Sequence, residues 1–256
     1  MASRSDTSDP RVHALLNGLL AERGGANTTE ELASTFGSAR LALRALMNVR
    51  APAPLDPAWL ALQDEFLSEE NAVRALTPPM PQRLSVWRGD ITRLRVDAIV
   101  NATNSALLGC FEPLHICIDN TIHSATGLQL RAECDRIMKD ERLPTGAVAV
   151  TPAYNLPSRF VLHTVGPIIS GPLTPEHKAL IARYYDSILE AAAEHSMRSI
   201  ALCSISTGVF GFPKEPAAKI AVERVRMFCA SSALPEHVVF CIFSKADEAI
   251  YRNLLQ

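Results

Sequence analysis

VDAIVNATN, residues 96–104, is the stretch on which the fold turns. Ala98–Ala102 carries apolar residues at both alternating positions, so a strand here is covered on both faces rather than on one. That pattern points away from a solvent-faced antiparallel sheet and toward an α/β layered domain. The strand runs directly into two asparagines three residues apart, Asn101 and Asn104. Amides at the end of an apolar strand are costly to bury unless their hydrogen bonds are satisfied. Either they stitch neighbouring loops or one of them reads a ligand; Asn101 is expected to be the stitch and Asn104 to face the ligand.

The same apolar character recurs in Leu84–Arg88, Ala147–Thr151, Phe160–Val165, Ile200–Ser204 and Val238–Phe243. Helical patterns lie between them, at about 120–141, 175–195, 216–231 and 246–254. Strands alternating with helices place a ligand site at the carboxyl ends of the strands. Upstream, the chain is helical instead. Val12, Leu15, Leu16, Leu19 and Leu20 form an amphipathic stripe. Thr28 with Glu31 makes a capping box, and Asp56-Pro57 starts a helix carrying Trp59, Leu62 and Phe66 on one face. Thr77-Pro78-Pro79-Met80-Pro81 ends the helices. The expected organisation is a helical extension over 1–82, with no chemistry of its own, and an α/β domain over 83–256.

Composition narrows the function. Charged residues make up 20% of the 256 and the formal net charge is −2, which gives no electrostatic case for nucleic acid or an anionic membrane. No apolar run approaches the roughly 18 residues needed to span a bilayer, and the polar start MASRSDTSDP does not resemble a signal peptide. Six cysteines are sparse for this length, and Cys203 and Cys241 sit inside apolar runs as small hydrophobes. A reducing, cytoplasmic setting is expected.

Four stretches can carry chemistry. GCFEPLHICIDNTIH, residues 109–123, sets Cys110, His115 and Cys117 at C-x4-H-x-C spacing. Three soft ligands in eight residues suit a zinc with an open fourth position, the arrangement of a catalytic rather than a closed structural site. The plainer alternative is three reduced residues in a loop. Asp119, two residues on, lies where a carboxylate can act on an oxygen held at such a metal. Gly89-Asp90-Ile91-Thr92 follows the first strand; its acid can accept from an amino group such as an adenine's, or it is simply a turn. Ser206-Thr207-Gly208-Val209-Phe210-Gly211-Phe212-Pro213 follows a strand and precedes a helix, so backbone N–H groups can approach phosphates and a phenylalanine can face a ribose. No Walker-type lysine follows it. His163 and His123 read as satisfied structural residues. A zinc deaminase is disfavoured because neither H-x-E nor P-C-x-x-C occurs.

Taken in order, GDIT, VDAIVNATN, IH-x-A-x-G, the TPAYNLP–VLHTVGP pair and STGVFGFP resemble the macrodomain family, over roughly two-thirds of the chain from Leu84. The resemblance implies a three-layer α/β/α fold with a mixed central sheet that binds ADP-ribose. One departure is informative: where most hydrolytic members carry a run of glycines, this chain has GCFEPLHICIDN. That looks like the family's zinc-dependent branch, whose members carry a helical amino-terminal extension and occur alongside sirtuin-like ADP-ribosyltransferases. By position, the resemblance makes Asp90 and Ile91 adenine contacts and sets Asn104 and Asp119 at the distal-ribose and catalytic positions, Asn104 fixing the ribose and Asp119 orienting or deprotonating the attacking oxygen. It makes Ser206 to Phe212 the diphosphate loop, places Cys117, Ile118, Asp119 and Asn120 along the ligand, and gives zinc to Cys110, His115 and Cys117. The implied activity is zinc-dependent hydrolysis of mono-ADP-ribose from modified proteins, with an Asp or Glu ester as the linkage. A non-catalytic ADP-ribose reader and an O-acetyl-ADP-ribose deacetylase are the alternatives.

Overall fold

In a computed structural model, residues 9–24, 27–167, 169, 171–204 and 211–256 are described. Six strands form one sheet: β1 (Leu84–Arg88), β2 (Ala98–Ala102), β3 (Val148–Pro152), β4 (Phe160–Thr164), β5 (Ser199–Cys203) and β6 (His237–Ile242). Their order is β1-β6-β5-β2-β4-β3. Every neighbouring pair is parallel except β3 with β4. The sheet is therefore mixed, and with helices packed over it the domain is a three-layer α/β/α sandwich. Ile99, Val100, Val161, Leu162, Ile200, Ala201, Val238 and Val239 are all fully buried, as strands apolar on both alternations require. β2 and β4 pair in a register that sets Asn101 opposite His163.

Nine helices are seen among the described residues. On the sheet lie α5 (Ile118–Thr126), α6 (Leu128–Met138), α7 (Pro175–Glu194), α8 (Lys214–Ser231) and α9 (Lys245–Leu255). The sequence pattern reads as one helix over about 120–141, but the structure breaks it at Gly127. That residue sits at φ 102°, and a Cβ there would lie 2.6 Å from the Gln63 side-chain nitrogen. Gln63 accepts from the Leu128 N–H at 2.9 Å, capping α6 where Gly127 has no side chain to do so. Hydrophobic periodicity carries no sign of a cap supplied from 65 residues away.

Upstream lie α1 (Pro10–Arg23), α2 (Thr29–Phe36), α3 (Ala39–Val49) and α4 (Pro57–Arg74). Local chemistry starts each one: Asp9, Thr28, Ser38 and Asp56 cap the four amino ends, and the Thr28–Glu31 capping box forms in full. The stripe of Val12, Leu15, Leu16 and Leu19 packs with Leu43, Phe66 and Leu67 into a second apolar core. Leu128 of α6 belongs to that core as well, so the helical region shares its interior with the α/β layers. Polar contacts tighten the seam. Asn71 of α4 donates to the Ala125 and Asn155 carbonyls at 2.9 Å each, and Asp64 accepts from the Asn155 amide at 2.7 Å.

Candidate active site

The end of β2 delivers Asn101 into the interior with no exposed surface. Its amide nitrogen donates to Asp119 Oδ1 at 2.8 Å and lies 3.3 Å from His163 Nδ1. An amide NH2 has two hydrogens and nothing to accept with, so Nδ1 must be the acceptor and the ring proton sits on Nε2. Nε2 in turn lies 2.9 Å from the Thr151 hydroxyl, which completes a relay from β3 through β4 to β2. Burial pushes His163 down to about 3, so its ring is neutral throughout the physiological range. The relay fixes which way Asn101 faces.

Asp119 occupies the first turn of α5 with 5% of its surface exposed. Burial raises its carboxyl to about 6, while the hydrogen bond from Asn101, the nearby Thr103 hydroxyl and the charge of Arg131 pull the other way. A carboxylate poised near neutrality is suited to general-base work. His123, one helical turn on, approaches Asp119 Oδ1 at 3.5 Å. Burial and the charge of Arg131 hold His123 far below its usual pKa, so the contact is not an ion pair.

Immediately before α5, the segment from Cys110 to Cys117 brings Cys110, His115 and Cys117 together. Their ligand atoms all lie within 4.8 Å of one another, and Cys110 Sγ is 3.4 Å from His115 Nδ1. Tetrahedral zinc with ordinary Zn–S and Zn–N lengths sets such atoms about 3.6–3.8 Å apart, so the trio fits one ion with little movement. All three are half-buried, which leaves a side open to solvent. Cys117 also caps α5, its sulfur accepting from the Asn120 N–H at 3.4 Å. Burial pushes its thiol up to about 11, with the charges of Asp119 and Cys110 adding to the shift. A divalent cation at the trio would compensate that charge and ionise the thiols. None of the six cysteines is in a disulfide.

Gly109 opens the loop at φ 80°, and a Cβ there would press to 3.1 Å on the His123 ring and 3.2 Å on Arg131. Only glycine meets both demands without strain. Arg131 is the buried post behind this turn. It donates to the Leu108 carbonyl at 2.7 Å, and its guanidinium lies 4.6 Å from the centre of the Phe111 ring.

Asp90 caps a short 3-10 turn (Ile91–Arg93), accepting from the Thr92 N–H at 3.0 Å; Ile91 is buried. Asn104 is exposed, with its amide donating to the Gly109 carbonyl at 2.9 Å and accepting from the Ala106 N–H at 3.0 Å. Ile118 packs partly against the main core. Asn120 is 1% exposed and its amide is engaged at both ends, donating to the Glu112 carbonyl at 3.0 Å and accepting from Arg44 at 2.9 Å. Gly211 sits at φ 71°. Phe212, read as a flat face for a ribose, is instead 2% exposed and belongs to the main core. A benzyl group enclosed by apolar core side chains gains more from packing than from a sugar contact. Ser206, Thr207, Gly208, Val209 and Phe210 lie outside the described residues.

Sequence reasoning passed over Arg44, Asn48, Arg131 and Thr103, all of which touch the site. One signal was available. In residues 39–49 the polar members Arg40, Arg44 and Asn48 recur at four-residue spacing along one stripe of an otherwise apolar helix, which marks a polar face that could meet a partner.

Residues 100–221 match the Macro domain family. A protein named protein-ADP-ribose hydrolase from Treponema medium is 48% identical over 227 residues, which is 84% of this chain and 87% of the relative. One with the same name from Staphylococcus aureus (strain Mu50 / ATCC 700699) is 38% identical over 253 residues, 96% of this chain and 95% of the relative. At that coverage the similarity runs through the helical extension. Among solved structures, the Trypanosoma brucei macrodomain in complex with ADP-ribose superposes with a TM-score of 0.63 at 28% identity, covering 83% of this chain and 95% of that one. The Oceanobacillus iheyensis macrodomain mutant G37V with ADPR gives 0.62 at 36% identity, covering 70% and 96%. The chain belongs to the Macro domain family.

Proposed function

We propose that this Macro domain protein is a hydrolase that removes single ADP-ribosyl groups from modified proteins, using zinc held by Cys110, His115 and Cys117. The observation that carries the reading is the placement of Asp119. It is a carboxylate raised to about 6, fixed by Asn101, two residues from a half-buried Cys–His–Cys trio whose spacing suits one tetrahedral ion. The names of the Treponema and Staphylococcus relatives support the activity. The Trypanosoma complex supports ADP-ribose as the group bound.

When bound, zinc supplies Lewis acidity and stabilises negative charge developing at the sugar end of the ligand. The rest falls to the chain. Asp90 and the strand-end loops grip the adenine and diphosphate, and that remote binding energy orients the reacting bond. Asp119, largely ionised at neutral pH, accepts a proton from the attacking oxygen. Asn101, itself oriented by the Thr151–His163 relay, holds the carboxylate in place through Oδ1. Asn104, at the exposed rim, borders the ribose. The linkage we assign is an Asp or Glu ester, and the partner activity we assign is a functional link to a sirtuin-like ADP-ribosyltransferase.

Single-turnover incubation with proteins mono-ADP-ribosylated on carboxylates, on serine or on arginine tests this reading. Free ADP-ribose from the carboxylate-linked substrate alone is the expected result. Release from none of them, with ADP-ribose still bound, would make the protein a reader. Preferential hydrolysis of O-acetyl-ADP-ribose in a mixed assay would make it a small-molecule esterase.

A further inference from the structure

We infer that the helical extension is a working part of the metal site, with Arg44 and Asn48 of α3 acting as positioning residues for the loop that carries Cys110, His115 and Cys117. The inference rests on the zinc reading above and extends it to residues with no ligand chemistry of their own.

The loop has little to hold itself in shape. It contains no helix or strand between Cys110 and Cys117, and among the described residues its internal backbone bonding is a His115 N–H to Glu112 carbonyl contact at 3.3 Å. Leu114, the neighbour of a ligand, sits at φ 57°, a left-handed conformation that costs a leucine about 1 kcal/mol or more. A loop so placed needs external support to keep three ligand atoms in one small volume.

That support comes from α3. Asn48, 1% exposed, accepts from the Leu114 N–H at 3.0 Å and so holds the strained residue directly. Its amide nitrogen donates to the Ser124 hydroxyl on α5 at 2.9 Å, tying the same side chain to the helix that Cys117 caps. Arg44, one turn earlier, donates to the His115 carbonyl at 3.3 Å, to Asn120 Oδ1 at 2.9 Å and to the Ser124 hydroxyl at 3.1 Å. Asn120 passes the constraint back by donating to the Glu112 carbonyl. Thus the loop is held at 112, 114 and 115, just before and at its histidine.

α3 is itself locked to the α/β layers. Its last turn has no basic residue, and Arg131 of α6 fills that role. The guanidinium donates to the Met47 and Asn48 carbonyls at 2.9 Å each and also to the Arg50 carbonyl. A buried cation on the carboxyl end of a helix is favoured by the macrodipole as well as by the hydrogen bonds. Arg131 reaches the front of the loop through Leu108 and Phe111, so one residue anchors both the clamp and the segment it clamps.

The test measures metal retention, with catalysis left aside. Full-length wild type, Arg44→Met and Asn48→Ala are compared by zinc competition against a chromophoric chelator and by the visible spectrum of their cobalt-substituted forms. Arg40→Met is the control, because Arg40 pairs with Glu70 inside the extension and does not touch the loop. We expect zinc to be held roughly 10- to 100-fold more weakly by Arg44→Met and Asn48→Ala, as for outer-shell partners of metal ligands generally. Their cobalt spectra should lose tetrahedral intensity while ADP-ribose affinity and circular dichroism stay unchanged. If Asn48→Ala fails to fold, the half-exposed Arg44→Met carries the result alone. Zinc retained at wild-type affinity by Arg44→Met overturns the inference, and so does an equal loss in Arg40→Met. A wild type that takes up neither zinc nor cobalt overturns the metal reading itself, a separate and recognisable failure.

Discussion

Two halves of the site meet at the start of α5 and are built on opposite principles. Behind lies Asp119, held by Asn101, His163 and Thr151, each on a strand of the sheet and each buried. In front lies the Cys110–Cys117 segment, half-exposed, irregular, and tied down by side chains from a helix about 70 residues earlier. The rear half gets its precision from the strand register, which sets Asn101 opposite His163 without further help. The front half depends on a clamp. A carboxylate fixed by the sheet tolerates little change, whereas an irregular loop held by long-range hydrogen bonds can be loosened in steps.

The sharpest way to break the comparison is at the rear. Asp119→Ala should lower the single-turnover rate by about 10³-fold, the usual weight of a general base, while ADP-ribose affinity measured by calorimetry changes by no more than about 3-fold. Asn101→Ala removes the donor that orients Asp119 and should slow turnover by about 10- to 100-fold, with KM nearly unchanged. An Asn101→Ala enzyme with normal turnover would show that the relay is packing alone.

At the junction, Gly109→Ala forces a Cβ onto His123 and Arg131 at positive φ. We expect a loss of about 1–3 kcal/mol in urea unfolding, with the loop loosened more than the sheet. Equal stability would mean that the turn has room to adjust.

A further comparison concerns pH. His163 is held near 3 in the folded chain against about 6.5 when unfolded, so between those values the unfolded chain binds the extra proton. Stability from this group is complete above pH 6.5 and is lost as pH falls toward 3, by at most about 1.4 kcal/mol per unit. Asp119, raised to about 6, acts in the opposite sense below that pH, so the comparison has to be made by difference. The melting temperature of wild type should fall more steeply from pH 7 to 4 than that of His163→Asn. Parallel curves would contradict the neutral, buried imidazole.

Much of the rear half is legible in the sequence. Ala98–Ala102 announces a strand covered on both faces, and two polar residues at its end demand partners. Thr28–Glu31 and Asp56-Pro57 mark helix starts by local hydrogen bonding, and C-x4-H-x-C marks by spacing a trio that the fold brings together. What escapes is whatever depends on distance along the chain. Gln63 capping α6, Arg131 capping α3 and Asn48 holding Leu114 each join residues 65 or more apart, and no local pattern encodes such a meeting. Phe212 shows the same limit: beside a glycine it reads as a ligand face, and only the packed helices show that it fills the core.

The most direct test of the metal reading uses one preparation divided in two. The protein is stripped of metal with a chelator and checked by elemental analysis, and zinc is returned to one half. Each half is then measured for ADP-ribose binding and for release of ADP-ribose from a modified protein. We predict equal binding, with release only in the zinc-loaded half and saturating at one equivalent. Undiminished release by the metal-free half would contradict it.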